Sequence, residues 1–462
     1  MKKFKLFSAI ALVTLLGIVL YYFLAIPAPH VSLTPDTGLI GVRRGFSLKL
    51  DAQRGVLKKL TVTAVQADKK VSVLVKEYPF GSHQASESFD LAKSGLQEGV
   101  FTLQVTASTA PPRFGADKST NLTGSFTLEN KPPEVAIVSI AHNIVQGGVG
   151  LVVYTVSKEV EKSGVVFNER FFPGYRQKGN NYACLFPLPF DLDPGKFVPT
   201  LLAVDKAGNE RLVVISYHLI AKSFSTDKIN LNDTFLAKIA AEFKDKFPEA
   251  KSPLEIFLKA NRDERQQDRK QLNEYGQKSS AAPLWSGTFL RMPNSAPLGG
   301  FAQARTYLYQ GQEVDRQTHL GFDLASLAHA TVPAANRGKV LFAGSFGIYG
   351  TCILLDHGLG LQTIYGHLSQ LSVKAGDMVE KGQIIGNTGV TGMAGGDHLH
   401  YEVLVSGQSV NPIEWWDAHW LKNNITGKLD TAAGIAVKEV APKARSIRVV
   451  KSKLSTRSHH KR

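Results

Sequence analysis

Between residues 30 and 220 the apolar positions come in short runs rich in Val, Thr, Leu and Phe, broken roughly every 8 to 12 residues by Gly, Pro, Asp or Asn. That rhythm predicts strands joined by turns and a β-sandwich architecture. The pattern occurs twice. LQEGVFTLQVTAST (96–109) and LDPGKFVPTLLAVDKAGNE (192–210) each lead from an acidic-glycine turn into a strand, and KPPEV (131–135) forms a stiff junction, so two modules are expected over 30–131 and 132–220. From residue 231 the period turns helical. In LNDTFLAKIAAEFKDKF the apolar Phe235, Ile239 and Phe243 share a face, and Pro248 stops the run. Ser252, Pro253 and Glu255 then form a capping box opening a second helix that runs to Gly276, and the two predict a helical spacer over 228–283. A period of two returns at THLGFDLAS (318–326) and at GGDHLHYEV (395–403). In extended chain, His319, Gly321 and Asp323 share one face, as do His398 and His400.

The N-terminus changes the picture of compartment. Lys2, Lys3 and Lys5 precede an uncharged run, FSAIALVTLLGIVLYYFLAI (7–26), which Pro27 would end. As a helix it matches a hydrocarbon core of about 30 Å. A cleaved signal peptide has a shorter apolar region and a small-residue cleavage site, whereas this run ends in Tyr21, Tyr22 and Phe23. The reading is a transmembrane anchor over 7–27, with 1–6 cytoplasmic and the rest extracytoplasmic: a single-pass protein of the inner membrane with its folded part in the periplasm.

The remaining composition is globular, with 43% apolar and 20% charged residues among 462, enough for about three domains. Net charge is +15, and from residue 425 onward ten Lys or Arg stand against two Asp or Glu. A basic disordered tail is expected over 421–462, available to anionic wall polymer or lipid headgroups. Nucleic acid is excluded as a partner by topology. Cys184 and Cys352 fall in different predicted domains and read as buried free thiols. Any metal must therefore be held by histidines and carboxylates.

The chemistry concentrates in the last third. A strand bearing His319 and Asp323, lying beside the HLH strand, would surround one point with three imidazoles and a carboxylate. Hydrolytic zinc takes three protein ligands and leaves a position for water. Four groups leave one to move protons, and TIYGHLS (363–369) adds His367 on a face shared with Thr363 and Tyr365. Gly321 would leave a hole between His319 and Asp323.

HLGFDLA, LLDHGLGLQTIYGHLSQLSVKAGDMVEKGQIIGNTGVTG and GGDHLHYEVLVSGQSVNP together resemble the catalytic domain of lysostaphin and LytM-type zinc metallopeptidases, which cleave peptide cross-links of peptidoglycan. The resemblance implies a zinc metallopeptidase domain over 284–420, built on a small antiparallel sheet with one zinc ion per chain at the floor of a groove. It implies His319, Asp323 and His400 as metal ligands, and His367 and His398 as the catalytic pair that activates water. Mainly β is the overall class. AVDKAGNE separately resembles the end of bacterial immunoglobulin-like domains, which would make both N-terminal modules immunoglobulin-like. Partners implied are peptidoglycan stems and cross-links, the inner membrane, and cell-wall or divisome proteins docking on the β-modules.

Two departures from the family pattern bear on substrate preference. Ala394, Gly395, Gly396 and Asp397 replace the usual Ser/Thr-x-Gly-Pro, and GGFAQAR (299–305) matches an FG-x-R turn only loosely. Tyr309 is a candidate oxyanion phenol. Glu402 faces the metal side, in position to hydrogen-bond a ligand histidine. His357 reads as a structural turn residue, His329 and His419 as solvent-exposed. The hairpin at 373–385 resembles biotinyl carriers but lacks their lysine. The segment 281–300 is a candidate cover for the site. The alternative function on this fold, a non-enzymatic regulator of wall amidases, sits poorly with five retained polar positions.

Overall fold

The computed structural model describes residues 10–17, 21, 27–53, 55–110, 117–140 and 142–433. About half of the anchor expected over 7–27 lies outside them, and the described stretch 10–17 is helical. Among the described residues no helix is long and apolar enough to cross a membrane.

Two sandwiches come first. In the first, the strands His30–Thr34, Phe46–Asp51 and Gln84–Phe89 face a five-stranded sheet built around Gly99–Ala110. Its alternation is the physical cause: Phe101, Leu103, Val105 and Ala107 are buried, while Gln104 and Thr106 point outward. In the second, two four-stranded sheets enclose Val152, Tyr154, Cys184, Phe186 and Leu201. Cys184 and Cys352 are buried free thiols.

The strand Val149–Val156 does not alternate, because both its faces are covered. Val152 and Tyr154 fill the sandwich core, whereas Val149 and Leu151 join Ala183 and Leu185 in the core of the C-terminal domain, beside Val403, Trp415 and Ile425. The second sandwich and the last domain thus share a buried seam. Glu414 and Lys428 cross it, Glu414 Oε2 accepting from Val149 N at 3.1 Å and Lys428 Nζ donating to Leu151 O at 3.4 Å.

The C-terminal domain is an antiparallel sheet in the order Ala296–Gly299, Phe322–Ala325, Leu399–Val405, Leu361–Gly366, Thr351–Gly358, Gly338–Ser345, Met378–Val379, with Gln408–Val410 added to Leu399–Val405. A three-stranded sheet of Thr331–Pro333, Ile384–Thr388 and Leu368–Leu371 lies beside it.

Three expectations are corrected. The segment read as a spacer is part of this domain: Thr226–Leu231 pairs in parallel with Gln303–Tyr309, and the helices bury Leu236, Ile239, Phe243 and Phe257 against Tyr307. Their amphipathic faces need a partner, and the domain supplies it. The caps are as read, with Ser252 accepting from Glu255 N at 3.2 Å. The tail, expected to be disordered over 421–462, is helical through Gly427–Ala432 where it is described, and residues 434–462 lie outside the described residues. Ile425 is fully buried and Lys428 reaches into the seam, while Lys422 and Asp430 stay exposed. The segment 281–300 is core rather than cover over most of its length, since Trp285, Phe289 and Met292 pack with Trp415, and its end borders the cavity at Leu298.

Two stability measurements test the seam. Ile425→Ala should lower unfolding free energy by about 2–5 kcal/mol, the cost of truncating a buried aliphatic side chain; an unchanged urea midpoint would contradict the helical tail. Burial pushes Glu414 up to about 8 from an ordinary 4.5. The folded chain then keeps a proton that the unfolded chain has lost. This contribution is complete below pH 4.5 and fades as pH rises through about 8. Glu414→Gln should therefore show a flatter fall in stability over that window, read by denaturation at several pH values.

Candidate metal centre and active site

Sheet register assembles the centre. Asp323 and Gly366 are both direct neighbours of His400, on the strands flanking Leu399–Val405. Cross-strand neighbours project to the same face, so Asp323 and His400 meet by construction while Gly366 leaves room. His319 closes the preceding strand, Gln312–His319. A Cβ on Gly321 would come within 2.5 Å of the His400 ring. The hole predicted at Gly321 is thus filled by His400.

His319 Nε2, Asp323 Oδ1 and His400 Nδ1 stand 2.9, 3.0 and 3.1 Å apart pairwise. The outer atoms fix what these inner ones carry. His319 Nδ1 faces the Gly300 carbonyl at 2.9 Å, and His400 Nε2 faces Glu402 Oε2 at 3.3 Å, so both outer nitrogens bear the proton. The inner nitrogens then present lone pairs to each other and to a carboxylate oxygen. Such a triangle of acceptors could hold a metal cation at its centre. Tetrahedral zinc ligands at about 2.0–2.1 Å from the metal would be separated by about 3.3 Å, so the donor set fits zinc in type and spacing.

His398 and His367 flank the triangle. His398 Nδ1 donates to Gly396 O and His367 Nδ1 to Thr391 O, each at 2.8 Å, which leaves both Nε2 atoms as bases. His398 Nε2 lies 3.5 Å from Asp323 Oδ1, and the two rings are 4.9 Å apart. His367 reaches the site differently from the expected strand face. The strand ends at Gly366, Thr363 and Tyr365 turn into the core, and a left-handed backbone (φ 63°) at His367 swings its ring to the other side. All five residues are buried, 5–9% exposed.

Residues 317–412 match the sequence profile of peptidase family M23. This region is an M23 peptidase domain. It is 41% identical over 95 residues to the DD-carboxypeptidase/endopeptidase Mpg of Neisseria meningitidis, covering 21% of this chain and 22% of that protein. It is 38% identical over 96 residues to the peptidoglycan DD-endopeptidase ShyA of Vibrio cholerae, covering 21% and 22%. The chain thus spans about a fifth of the length of the curated relatives it matches. A solved putative M23 peptidase of Pseudomonas aeruginosa is 19% identical with a TM-score of 0.38, covering 59% of this chain and 95% of that one.

Glu402 meets His400 as the sequence suggested, at 3.3 Å, but the groups that hold it and the rest of the centre carried no sequence signal. Glu402, fully buried, accepts from Arg269 through both oxygens (2.6 and 3.0 Å), from Tyr349 Oη at 2.8 Å and from Ser409. Burial alone would raise its pKa, but Arg269 and then His400 outweigh it and hold Glu402 far below the usual carboxylate range. Arg305 Nη2 donates to Asp323 Oδ2 at 2.7 Å, holding the oxygen that the triangle does not use. Burial raises Asp323 too, and its three histidine neighbours more than reverse that. Lys238, on the first helix, donates to the Ala394 and Gly392 carbonyls at 2.7 and 3.1 Å, pinning the loop whose Thr391 carbonyl orients His367.

Other candidates fall outside the centre. Tyr309 bonds Asp233 at 2.9 Å and is not near the histidines; Tyr307 occupies the cavity wall instead. His357 is fully buried between Arg337 O and Thr363 Oγ1, both at 2.8 Å, and burial lowers it to about 4. His329 and His419 are exposed. Asp397 takes the Thr388 hydroxyl and the His329 amide, shaping the departing Ala-Gly-Gly-Asp turn.

Removing Arg269 leaves a carboxylate buried and unpaired. Arg269→Met should destabilise the fold by about 3–5 kcal/mol in urea unfolding. Adding Glu402→Gln should recover part of the loss, and a double variant no better than the single would argue against the pair.

Proposed function

We propose that this chain is a membrane-anchored zinc metalloendopeptidase that hydrolyses the peptide cross-links of peptidoglycan. The carrying observation is the triangle of inward lone pairs at His319, Asp323 and His400, with two further basic imidazoles beside it, inside an M23 domain. The names of its relatives, DD-endopeptidases among them, support the substrate class. The uncharged run at 7–26 after three lysines supports an inner-membrane anchor with the catalytic domain in the periplasm. There, D-Ala to diaminopimelate bonds are the proposed target.

In this reading His319, Asp323 and His400 hold one zinc ion. When bound, zinc supplies Lewis acidity and lowers the pKa of water to about 7. The protein's own groups do the rest. His398 and His367, each fixed by an outer N–H bond, offer Nε2 to take a proton from water and return it to the leaving amine. Arg305 and Glu402 keep Asp323 and His400 from rotating away.

The division of labour is testable by metal analysis and turnover together. His400→Ala should lose zinc and activity, since two ligands hold zinc poorly. His398→Ala and His367→Ala should keep about one zinc per chain and lose turnover on the order of 10²- to 10⁴-fold. Muropeptide mass spectrometry supplies the product. Comparable zinc loss in all three variants would reject these roles, and undiminished cleavage by His398→Ala would remove that residue from the mechanism.

A further inference from the structure

The histidines and Asp323 open into a cavity of about 520 Å³ whose other wall comes from the segment 227–269. Three arginines line it. Two are matched: Arg269 by Glu402 and Arg305 by Asp323. Arg265 is not. Its Nε and Nη2 donate to the carbonyl and side-chain oxygen of Asn261 at 3.1 and 2.7 Å, while Nη1 has no hydrogen-bond partner among the described residues. No carboxylate among those residues lies within ion-pair distance. The charged side chains facing it are Arg269 and Arg305, of the same sign, with the phenols of Tyr307 and Tyr349. The other two carboxylates on the wall are engaged elsewhere, Asp397 with Thr388 and His329, Asp227 with the Lys228 amide.

The position is built rather than incidental. Ala260–Glu264 is a π-helical turn between two α-helical stretches, and such turns commonly serve to aim functional side chains. Asn261, fully buried, is fixed by Asp315 at 2.8 Å and in turn grips one edge of the Arg265 guanidinium. The free edge is left to the cavity. Arginine remains charged at any physiological pH, and its planar fork matches a carboxylate. An unpaired cation in a desolvated cavity is costly, and a ligand that brings the opposite charge recovers that cost.

We propose that Arg265 receives a free carboxylate of the substrate peptide, so that the enzyme selects cross-links carrying an ionised carboxylate beside the scissile amide. The proposal rests on the peptidase reading above and deepens it.

The test uses two otherwise identical, fluorescently labelled D-alanyl peptides. In one, the carbon bearing the scissile amide nitrogen carries a free carboxylate; in the other, its carboxamide. Equilibrium binding is measured by anisotropy on the zinc-loaded full chain bearing His398→Ala, so that the peptide survives the measurement. The carboxylate peptide should bind on the order of 10- to 100-fold tighter than the amide. Adding R265Q, which can still bond Asn261, should bring that ratio to about one, and R265K should restore part of it. Equal binding of both peptides to the Arg265 chain, or an unaltered ratio in folded R265Q, overturns the proposal. Cleavage by the chain with His398 intact reports separately on the peptidase reading. A chain that binds by charge and does not cut supports the carboxylate site while defeating the enzyme. A chain that cuts both peptides with equal kcat/KM defeats the carboxylate site alone.

Discussion

Three buried acceptor atoms, on His319, Asp323 and His400, sit about 3 Å from one another, and an apolar interior tolerates that only with positive charge among them. Much of the domain can be understood as the apparatus that holds this unfavourable cluster in place. Each imidazole is tied from behind by an acceptor that claims its outer N–H, so the ring cannot turn its lone pair elsewhere. The carboxylate is tied through its second oxygen to Arg305. Sheet register adds the rest, placing Asp323 opposite His400 without any loop having to find its way.

The electrostatic chain then runs outward. His400 leans on Glu402, Glu402 on Arg269, and Arg269 belongs to a helix that enters the sequence more than a hundred residues before the HLH strand. A buried carboxylate hydrogen-bonded to an imidazole needs its own cation, and a helix packed on the sheet supplies one at low entropic cost because it is already ordered. Lys238 works in the same way from the neighbouring helix, fixing a loop and through it His367.

What the sequence revealed follows from locality. His398 with His400, and His319 with Asp323, lie two and four residues apart, so a period of two places them without knowledge of the fold. Gly321 was readable as a gap, though not what fills it. His367 lies beside His398 by a different route from the one expected, because a left-handed residue at a strand end breaks the alternation on which that expectation rested. Arg269 and Arg305 left no local signal, since pairing across the fold depends on register and helix docking. The helices were seen and their role misjudged: an amphipathic stripe says that a face is buried, never against what. The tail misled through its charge, which hides one buried isoleucine.

The seam along Val149–Val156 and the docking of the helices carry a consequence for inheritance. The profile match spans residues 317–412, yet the ion pair behind His400, the wall of the cavity and the strand paired to Gln303–Tyr309 all come from earlier in the chain. Cut to the recognisable stretch and moved by recombination into another protein, the domain would arrive with Glu402 unneutralised and its cavity open on one side. The structural unit that supports the centre is therefore longer than the signature that identifies it, including the helices and the strand from about residue 226 onward, so a change on the early helices reaches the histidines through Arg269 and Lys238.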